Sequence, residues 1–337
     1  MKLPIGKVPV DVLKEVVFKS LGVKRKEVVV GPSAGVDGAV IDVGDKSLIT
    51  SMDPITGAVE RIGWLAVNVN ANDVATFGVK PVFFSSCILL PEGAERQTVE
   101  VICSQMDAAA KKLDMAIVGG HCEVTPELVN PVVVGCAVGM TRKGNYVTAG
   151  GAKPGDKLIL TKSAGIEGTA ILATECSAVL RKMGVDEKLL NSAQGFFEKI
   201  SVVTEGVLAF EAGGVSAMHD PTEGGIFGGI HEMADASNLG VKVFKEKMPV
   251  AEETLEICRF LQIDPLQLIS SGALLIAAKP ESTDKIIEKL KRCKIEVSVI
   301  GEFDSSQKRL ILRKNGAEEP LPCPECDHLW LALAKSK

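Results

Sequence analysis

Apolar positions in the first half of the chain switch between helical spacing and short continuous runs. Val10, Leu13, Val16, Val17 and Leu21 recur at helical intervals ahead of Gly22, which predicts a helix over 10–21. Strand-length runs follow at 28–30, 39–43 and 47–51, separated by Gly and Asp turns. Residues 62–77 are apolar on more than one face and stop at Gly78. They predict a helix held between a sheet and another element. The run 82–90 predicts a buried strand, 94–113 an amphipathic helix, and 115–118 and 132–140 two more buried strands. Periodicity lapses over 139–156, where Thr, Arg, Lys, Asn, Gly and Pro154 mark a domain boundary. Beyond it the pattern predicts strands at 157–161, 271–278 and 296–300. Helices are predicted at 167–180, 186–199, 203–212, 224–237 and 282–293. Strands and helices mix irregularly, so the predicted class is α+β rather than a strictly alternating doubly wound fold.

A length of 337 residues makes two domains the default. Hydrophobic residues at 46% and charged residues at 24% are ordinary for a globular protein. A net charge of −5 argues against nucleic acid as a partner, and two Trp with one Tyr are too few to stack bases. The apolar runs are strand-length, so no membrane span is expected. Met1-Lys-Leu-Pro-Ile-Gly-Lys7 leads into an amphipathic segment rather than an apolar leader. The nine cysteines are scattered, with Cys87, Cys103, Cys136 and Cys258 inside apolar runs, as expected of reduced thiols in a cytoplasmic protein. Cys323-Pro-Glu-Cys326 supplies half a zinc site, with no second pair to complete it.

The chemistry gathers where apolar runs end. Asp37 precedes a strand, Asp53 follows one within Ser51-Met-Asp-Pro-Ile-Thr-Gly57, and Asp73 lies inside the apolar helix. Turn formation is one reading of Asp37 and Asp53, with a ligand role as the other. A carboxylate in an apolar helix costs several kcal/mol unless paired, so Asp73 calls for a ligand or for a polar network with Asn68, Asn70 and Asn72. In Gly119-Gly-His-Cys-Glu-Val-Thr-Pro126 two glycines at a strand end allow close ligand approach, and His121 or Glu123 could face a metal or phosphate. An ordinary strand-to-loop turn is the alternative, with Cys122 as a small filler. In His219-Asp-Pro-Thr-Glu-Gly-Gly-Ile226, Asp220 or Thr222 can cap a helix whose first amides are left bare by Gly224 and Gly225. Carboxylates suit a hard cation such as Mg²⁺ and bare amides suit phosphate oxygens, so the segments read as a metal–nucleotide site built from both halves.

At these residues the chain resembles the superfamily of aminoimidazole ribonucleotide (AIR) synthase, the HypE-type hydrogenase maturation factor, thiamine-monophosphate kinase and selenophosphate synthetase. Asp37-Gly-Ala-Val-Ile, Asn72-Asp73 through Gly78-Val-Lys-Pro81, Gly119–Pro126, His219–Ile226 and, more softly, Ser270-Ser-Gly-Ala-Leu-Leu275 carry the likeness, which is nearest to HypE. The resemblance implies a two-domain AIR synthase-like α+β fold. An N-terminal domain at 1–145 would bind ATP and Mg²⁺ and form a homodimeric β-barrel, and a C-terminal domain at 155–330 would cover it. It implies Mg²⁺ held by Asp37, Asp53 and Asp73, and ATP contacts from Asp37, Asn72, Gly119, Gly120, Thr222, Gly224 and Gly225. Catalytic roles would fall to His121, Glu123, His219 and Asp220. The shared chemistry is attack of a substrate atom on an ATP phosphate, with the protein positioning and neutralising charge. HypE-type factors end in a cysteine-bearing tail, whereas this chain ends Leu-Ala-Lys-Ser-Lys337 with Cys326 its last thiol. The sequence therefore predicts a HypE-like ATP-using enzyme without that tail, acting on an unidentified small-molecule or protein-borne substrate. The alternatives are a non-catalytic nucleotide-binding or scaffold paralogue, or a kinase of the thiamine-monophosphate type.

Overall fold

The computed structural model describes residues 2–3 and 5–335; Met1, Pro4 and the last two positions of the Leu-Ala-Lys-Ser-Lys337 tail lie outside the described residues. The first half holds α1 (Val10–Glu15), β1 (Val28–Val30), β2 (Ala39–Val43), β3 (Lys46–Ile55), α2 (Ile62–Ala75), β4 (Pro81–Leu90), α3 (Arg96–Lys112), β5 (Ala116–Val124) and β6 (Val132–Arg142). Its six strands form one sheet in the order β1-β2-β3-β6-β4-β5. Gly44, at φ +62°, supplies the left-handed residue that the tight β2–β3 turn requires. β3 and β6 pair antiparallel from Lys46↔Arg142 to Ile55↔Val133 and form the spine of the sheet. Every residue of α2 is buried, because the helix lies between this sheet, α3 and the second half of the chain. That arrangement explains its all-round apolar sequence.

The expected helix over 10–21 is only the short α1 and a 3₁₀ turn at Val17–Lys19, and α1 buries none of its residues. β5 departs further from expectation. Gly119 and Gly120 do not end the strand but continue it, opposite Ser85 and Ser86 of the parallel neighbour β4. A Cβ at Gly120 would sit 2.0 Å from the Ser86 carbonyl oxygen, so glycine is required for the strands to approach.

The second half contains β7 (Lys157–Thr161), α4 (Ile166–Glu175), α5 (Ser177–Lys182), α6 (Glu187–Gln194), α7 (Val203–Ala212), β8 (Val215–His219), α8 (Gly225–Ser237), β9 (Gly240–Val243), α9 (Glu252–Leu261), β10 (Leu275–Ala278), α10 (Thr283–Arg292), β11 (Val297–Asp304), β12 (Arg309–Leu312), β13 (Glu318–Pro320) and α11 (His328–Lys335). A seven-stranded sheet runs β13-β12-β9-β11-β7-β10-β8, antiparallel except where β12 meets β9. The helix expected at 167–180 breaks at Cys176 into α4 and α5, and that at 186–199 ends as a 3₁₀ turn at Gly195–Lys199. One hydrophobic cluster runs from Leu65 and Val69 of α2 to Ile166 and Ile171 of α4 and Leu329 of α11, joining the halves through a shared core. Among the described residues no helix is long and apolar enough to cross a membrane.

Candidate functional site

The site forms where the end of β8, the outer part of β3 and the middle of α2 meet. Ser51 and Asp53 point to one face of β3 because strand side chains alternate. Asn70 and Asp73, three apart on α2, project from the helix face that packs there. Asn70 fixes the register: its Oδ1 accepts from the Asp53 N–H at 2.8 Å while its Nδ2 donates to the Asp53 and Ala66 carbonyls. Asp73 is buried, and its Oδ2 accepts from the Ser51 hydroxyl, which also lies against the Asp37 carbonyl.

His219, fully buried at the end of β8, is held from both sides. Its Nδ1 lies 2.6 Å from Asp37 Oδ2 and its Nε2 2.7 Å from Glu232 Oε2. Burial works against a charged ring, yet the two carboxylates outweigh it and raise the imidazole pKa well above its ordinary value. The ring is thus an imidazolium donating to both acids. Burial would likewise lift Glu232, but His219 and Lys7 bring it down to about 2. Lys7 closes the edge, its Nζ 3.1 Å from Glu232 Oε1 and its backbone N–H donating to Glu223 Oε2 at 2.7 Å.

The next residue, Asp220, has the opposite fate. Both its carboxylate oxygens are buried with no hydrogen-bond partner. Burial, with Asp37 and Asp53 adding repulsion, pushes its pKa up to about 8 against the pull of His219. Burial and Asp37 raise Asp53 to about 6. Asp73 is driven well above the carboxylate range by burial and by Asp53, Asp220 and Asp37. Ligand atoms of Asp37, His219 and Asp220 all lie within 4.8 Å of one another. Four acids therefore crowd a region whose resident cations, His219 and Lys7, are already engaged with Glu232 and Asp37. Hard oxygen donors with orphaned lone pairs are the donor set that Mg²⁺ takes, so the residues fit such an ion.

Two cavities flank the cluster. A cleft of about 700 Å³ opens between the N-terminal segment, α8 and the Cys323–Asp327 loop. An inner pocket of about 570 Å³ extends toward α4 and α11. Lys7, Asp37, Asp53 and Glu223 line both, so the acidic wall is common to them.

Asp37, Asp53, Asp73, His219 and Asp220 are thus gathered by the fold, and Thr222 lines the inner pocket. Other expected residues lie differently. Asn72 faces away from the cleft: its Nδ2 donates to the Ile200 carbonyl and its Oδ1 accepts from the Val202 N–H, clamping α2 to the second half. The amides at the start of α8 are not bare. Gly224 N–H donates to Asp327 Oδ2 at 2.7 Å and Gly225 N–H to the Thr222 carbonyl. Neither Asp220 nor Thr222 caps that helix by a side-chain hydrogen bond. Gly119 and Gly120 lie within β5. His121 and Glu123 are exposed there and pair with each other at 3.0 Å. β5 is separated from β3 by β6 and β4, roughly 14 Å across the sheet. Sequence reasoning missed Lys7, Ser51, Glu223 and Glu232. Glu232 carried a usable signal, since an acid inside the apolar 224–237 pattern poses the same problem as Asp73.

Comparison with known proteins agrees with this architecture. Residues 35–141 match the family model for the AIR synthase related protein N-terminal domain, and 153–312 that for the C-terminal domain. The chain belongs to the AIR synthase-related family. It is 29% identical over 317 residues to a putative hydrogenase expression/formation protein of Methanocaldococcus jannaschii, covering 91% of each chain. To the carbamoyl dehydratase HypE of Bradyrhizobium diazoefficiens it is 26% identical, over 76% of this chain and 74% of that one. The crystal structure of the hydrogenase maturation protein HypE in complex with ATP shares the fold, with a TM-score of 0.70 at 20% identity over 97% of this chain and 98% of that one.

Proposed function

We propose that this chain is an Mg²⁺-dependent, ATP-using enzyme that activates an oxygen of its substrate by phosphoryl transfer, in the manner of a HypE-type maturation factor. The observation that carries the reading is Asp220, a buried carboxylate with two unpartnered oxygens beside Asp37, Asp53 and Asp73. Leaving such a group unpaired costs several kcal/mol, which a metal-bound triphosphate would recover. The carboxylates of Asp37, Asp53, Asp73 and Asp220 would hold the ion, whose charge, when bound, neutralises the phosphate oxygens as the transferred group separates. His219 has no free nitrogen with which to take a proton. Its part is to fix Asp37 and to supply a permanent positive charge behind the acids. Lys7 and Glu223 belong to the wall that the two cavities share. The relative named carbamoyl dehydratase and the HypE structure holding ATP support the ATP-using reading.

The same reading takes the enzyme as a homodimer. β5 is an exposed edge strand along its whole length, with Ile117, Val118 and Val124 uncovered and Phe83 exposed on the neighbouring strand. An apolar unpaired edge of this length is suited to pairing with a second copy.

Incubation with Mg²⁺-ATP and a metabolite panel, read by mass spectrometry, tests the proposal. ADP and a phosphorylated or dehydrated product should form, and their formation should disappear in Asp220→Asn. ATP binding without turnover on any member of the panel would favour a non-catalytic nucleotide-binding paralogue.

A further inference from the structure

The Cys323-Pro-Glu-Cys326 segment has no part in the proposed reaction, yet both of its thiols are free and line the cleft of about 700 Å³ that also holds Asp37 and Asp53. Cys323 is exposed and Cys326 half-buried. An open thiol followed by a sheltered one is the order that disulfide exchange needs, one to attack and one to resolve. Core cysteines differ in kind: burial pushes the Cys258 thiol up to about 12. No other two cysteines of the chain are so closely spaced.

The loop is fixed at both ends while its thiols stay open. On one side Leu321 is buried, its N–H donating to the Arg309 carbonyl at 2.9 Å, and the Pro322 carbonyl lies 3.1 Å from His231 Nε2. On the other the buried Asp327 accepts from the Gly224 and Leu329 N–H groups, each at 2.7 Å. Pro324 packs over Gly224, its ring carbons 3.4 Å from where a Cβ there would lie. The backbone bends at Glu325 and Cys326. Proline in the second place of four favours a turn whose outer Cα atoms approach within about 7 Å, and a disulfide spans about 4.4–6.8 Å. A bond between the two sulfurs therefore closes within the loop and leaves its anchors in place.

Charge selects the oxidant. Asp37, Asp53, Glu223, Asp235 and the exposed Glu325 between the thiols line the cleft. Among the described residues lining it, Lys7 is the one lysine or arginine, and Glu232 already engages it. Such a rim repels an anionic molecule and draws in a cationic one.

We propose that Cys323 and Cys326 form a thiol–disulfide exchange site at the mouth of the cleft, and that its oxidant is a small cationic disulfide. The Cys323 thiolate attacks one sulfur of the oxidant, forming a mixed disulfide and expelling one thiolate. Cys326 then attacks Cys323 Sγ and expels the other. Two electrons and two protons pass to the oxidant, which leaves as two thiols. The site does not depend on the ATP-using reading.

The metal-free full chain, treated with cystamine, neutral 2-hydroxyethyl disulfide or anionic 3,3′-dithiodipropionate, then alkylated and mapped by peptide mass spectrometry, tests it. Wild type should form the 323–326 disulfide about tenfold faster with cystamine than with dithiodipropionate at low salt, the gap closing at high salt. Cys326→Ser should stop at a mixed disulfide on Cys323. Exposed Cys293, between Arg292 and Lys294, is the internal reference and should prefer the anionic reagent. Absence of a 323–326 bond with every reagent, equal rates with cystamine and dithiodipropionate, or no mixed disulfide on Cys323 in the variant would each overturn the proposal.

Discussion

Adjacent residues 219 and 220 show how burial alone does not set a side chain's character. His219 is enclosed by two acids and is charged, whereas Asp220 is enclosed by acids without a donor and resists charge. Asn72 and Asp73 make a second contrasting pair, one turned to the second half of the chain and one to Ser51 of β3. Replacing Asn72 by Ala would leave the Ile200 carbonyl and the Val202 N–H unpaired within the core. Such a loss is expected to cost roughly 1–3 kcal/mol, visible as a lower urea midpoint, with little change in nucleotide affinity. Weakened Mg²⁺-ATP binding at unchanged stability would instead put Asn72 in the ligand site. The acid at 73 was legible from sequence because a charge in an apolar helix demands a partner. The clamp at 72 was not, since it depends on which face of α2 meets a segment 128 residues away.

At the scale of elements, the long apolar patterns were legible, as were the short strands β1, β2 and β7, whereas other short elements were not. α2, β4 and β6 have runs long enough for periodicity to decide. β8, β9, β12 and β13, of three to five residues each, and the amphipathic α9 and α11 passed unnoticed, because short strands take their identity from their neighbours in the sheet. β5 was cut short for a different reason: Gly119-Gly120 carries the signature of a turn, and only the Ser86 carbonyl shows why glycine is needed inside a strand. That strand carries the dimer proposal. Val118→Lys on its exposed surface is expected to shift wild-type dimers toward monomers in light scattering at micromolar concentration, with the fold retained. A monomeric wild type would remove the proposal. The Cys323–Cys326 loop lines the cleft, but no grouping of metal-ligating side chains among the described residues includes its thiols. Cys323→Ser with Cys326→Ser should therefore leave Tm and nucleotide binding within error, and bound zinc in the native protein would contradict this.

At the scale of the molecule, the acidic cluster ties stability to pH and, on the proposed function, to metal. Asp53, near 6, and Asp220, near 8, hold protons more tightly folded than unfolded. Their contribution is complete below the ordinary carboxylate range and is lost as pH rises through those values. Glu232, near 2, acts in the opposite sense, but only in strong acid. Metal-free protein should consequently lose Tm between about pH 5 and about pH 8, and Mg²⁺-AMPPNP should restore more Tm at the upper end, where the acids are free to ionise. A metal-free Tm that rises over this interval would show that the acids are not forced together.

The central claim is that Asp37, Asp53, Asp73 and Asp220 hold the cation of a metal–nucleotide complex. Asp73→Asn keeps the shape of the side chain and removes its charge, so it isolates that claim from folding. Calorimetric titration of AMPPNP into wild type and Asp73→Asn, each with and without Mg²⁺, is the most direct measurement. The account predicts Mg²⁺-dependent binding to wild type, weakened by about 1–3 kcal/mol in the variant, and a metal-free variant at least as stable as wild type. Equal affinity in both proteins, or wild-type binding indifferent to Mg²⁺, would contradict it.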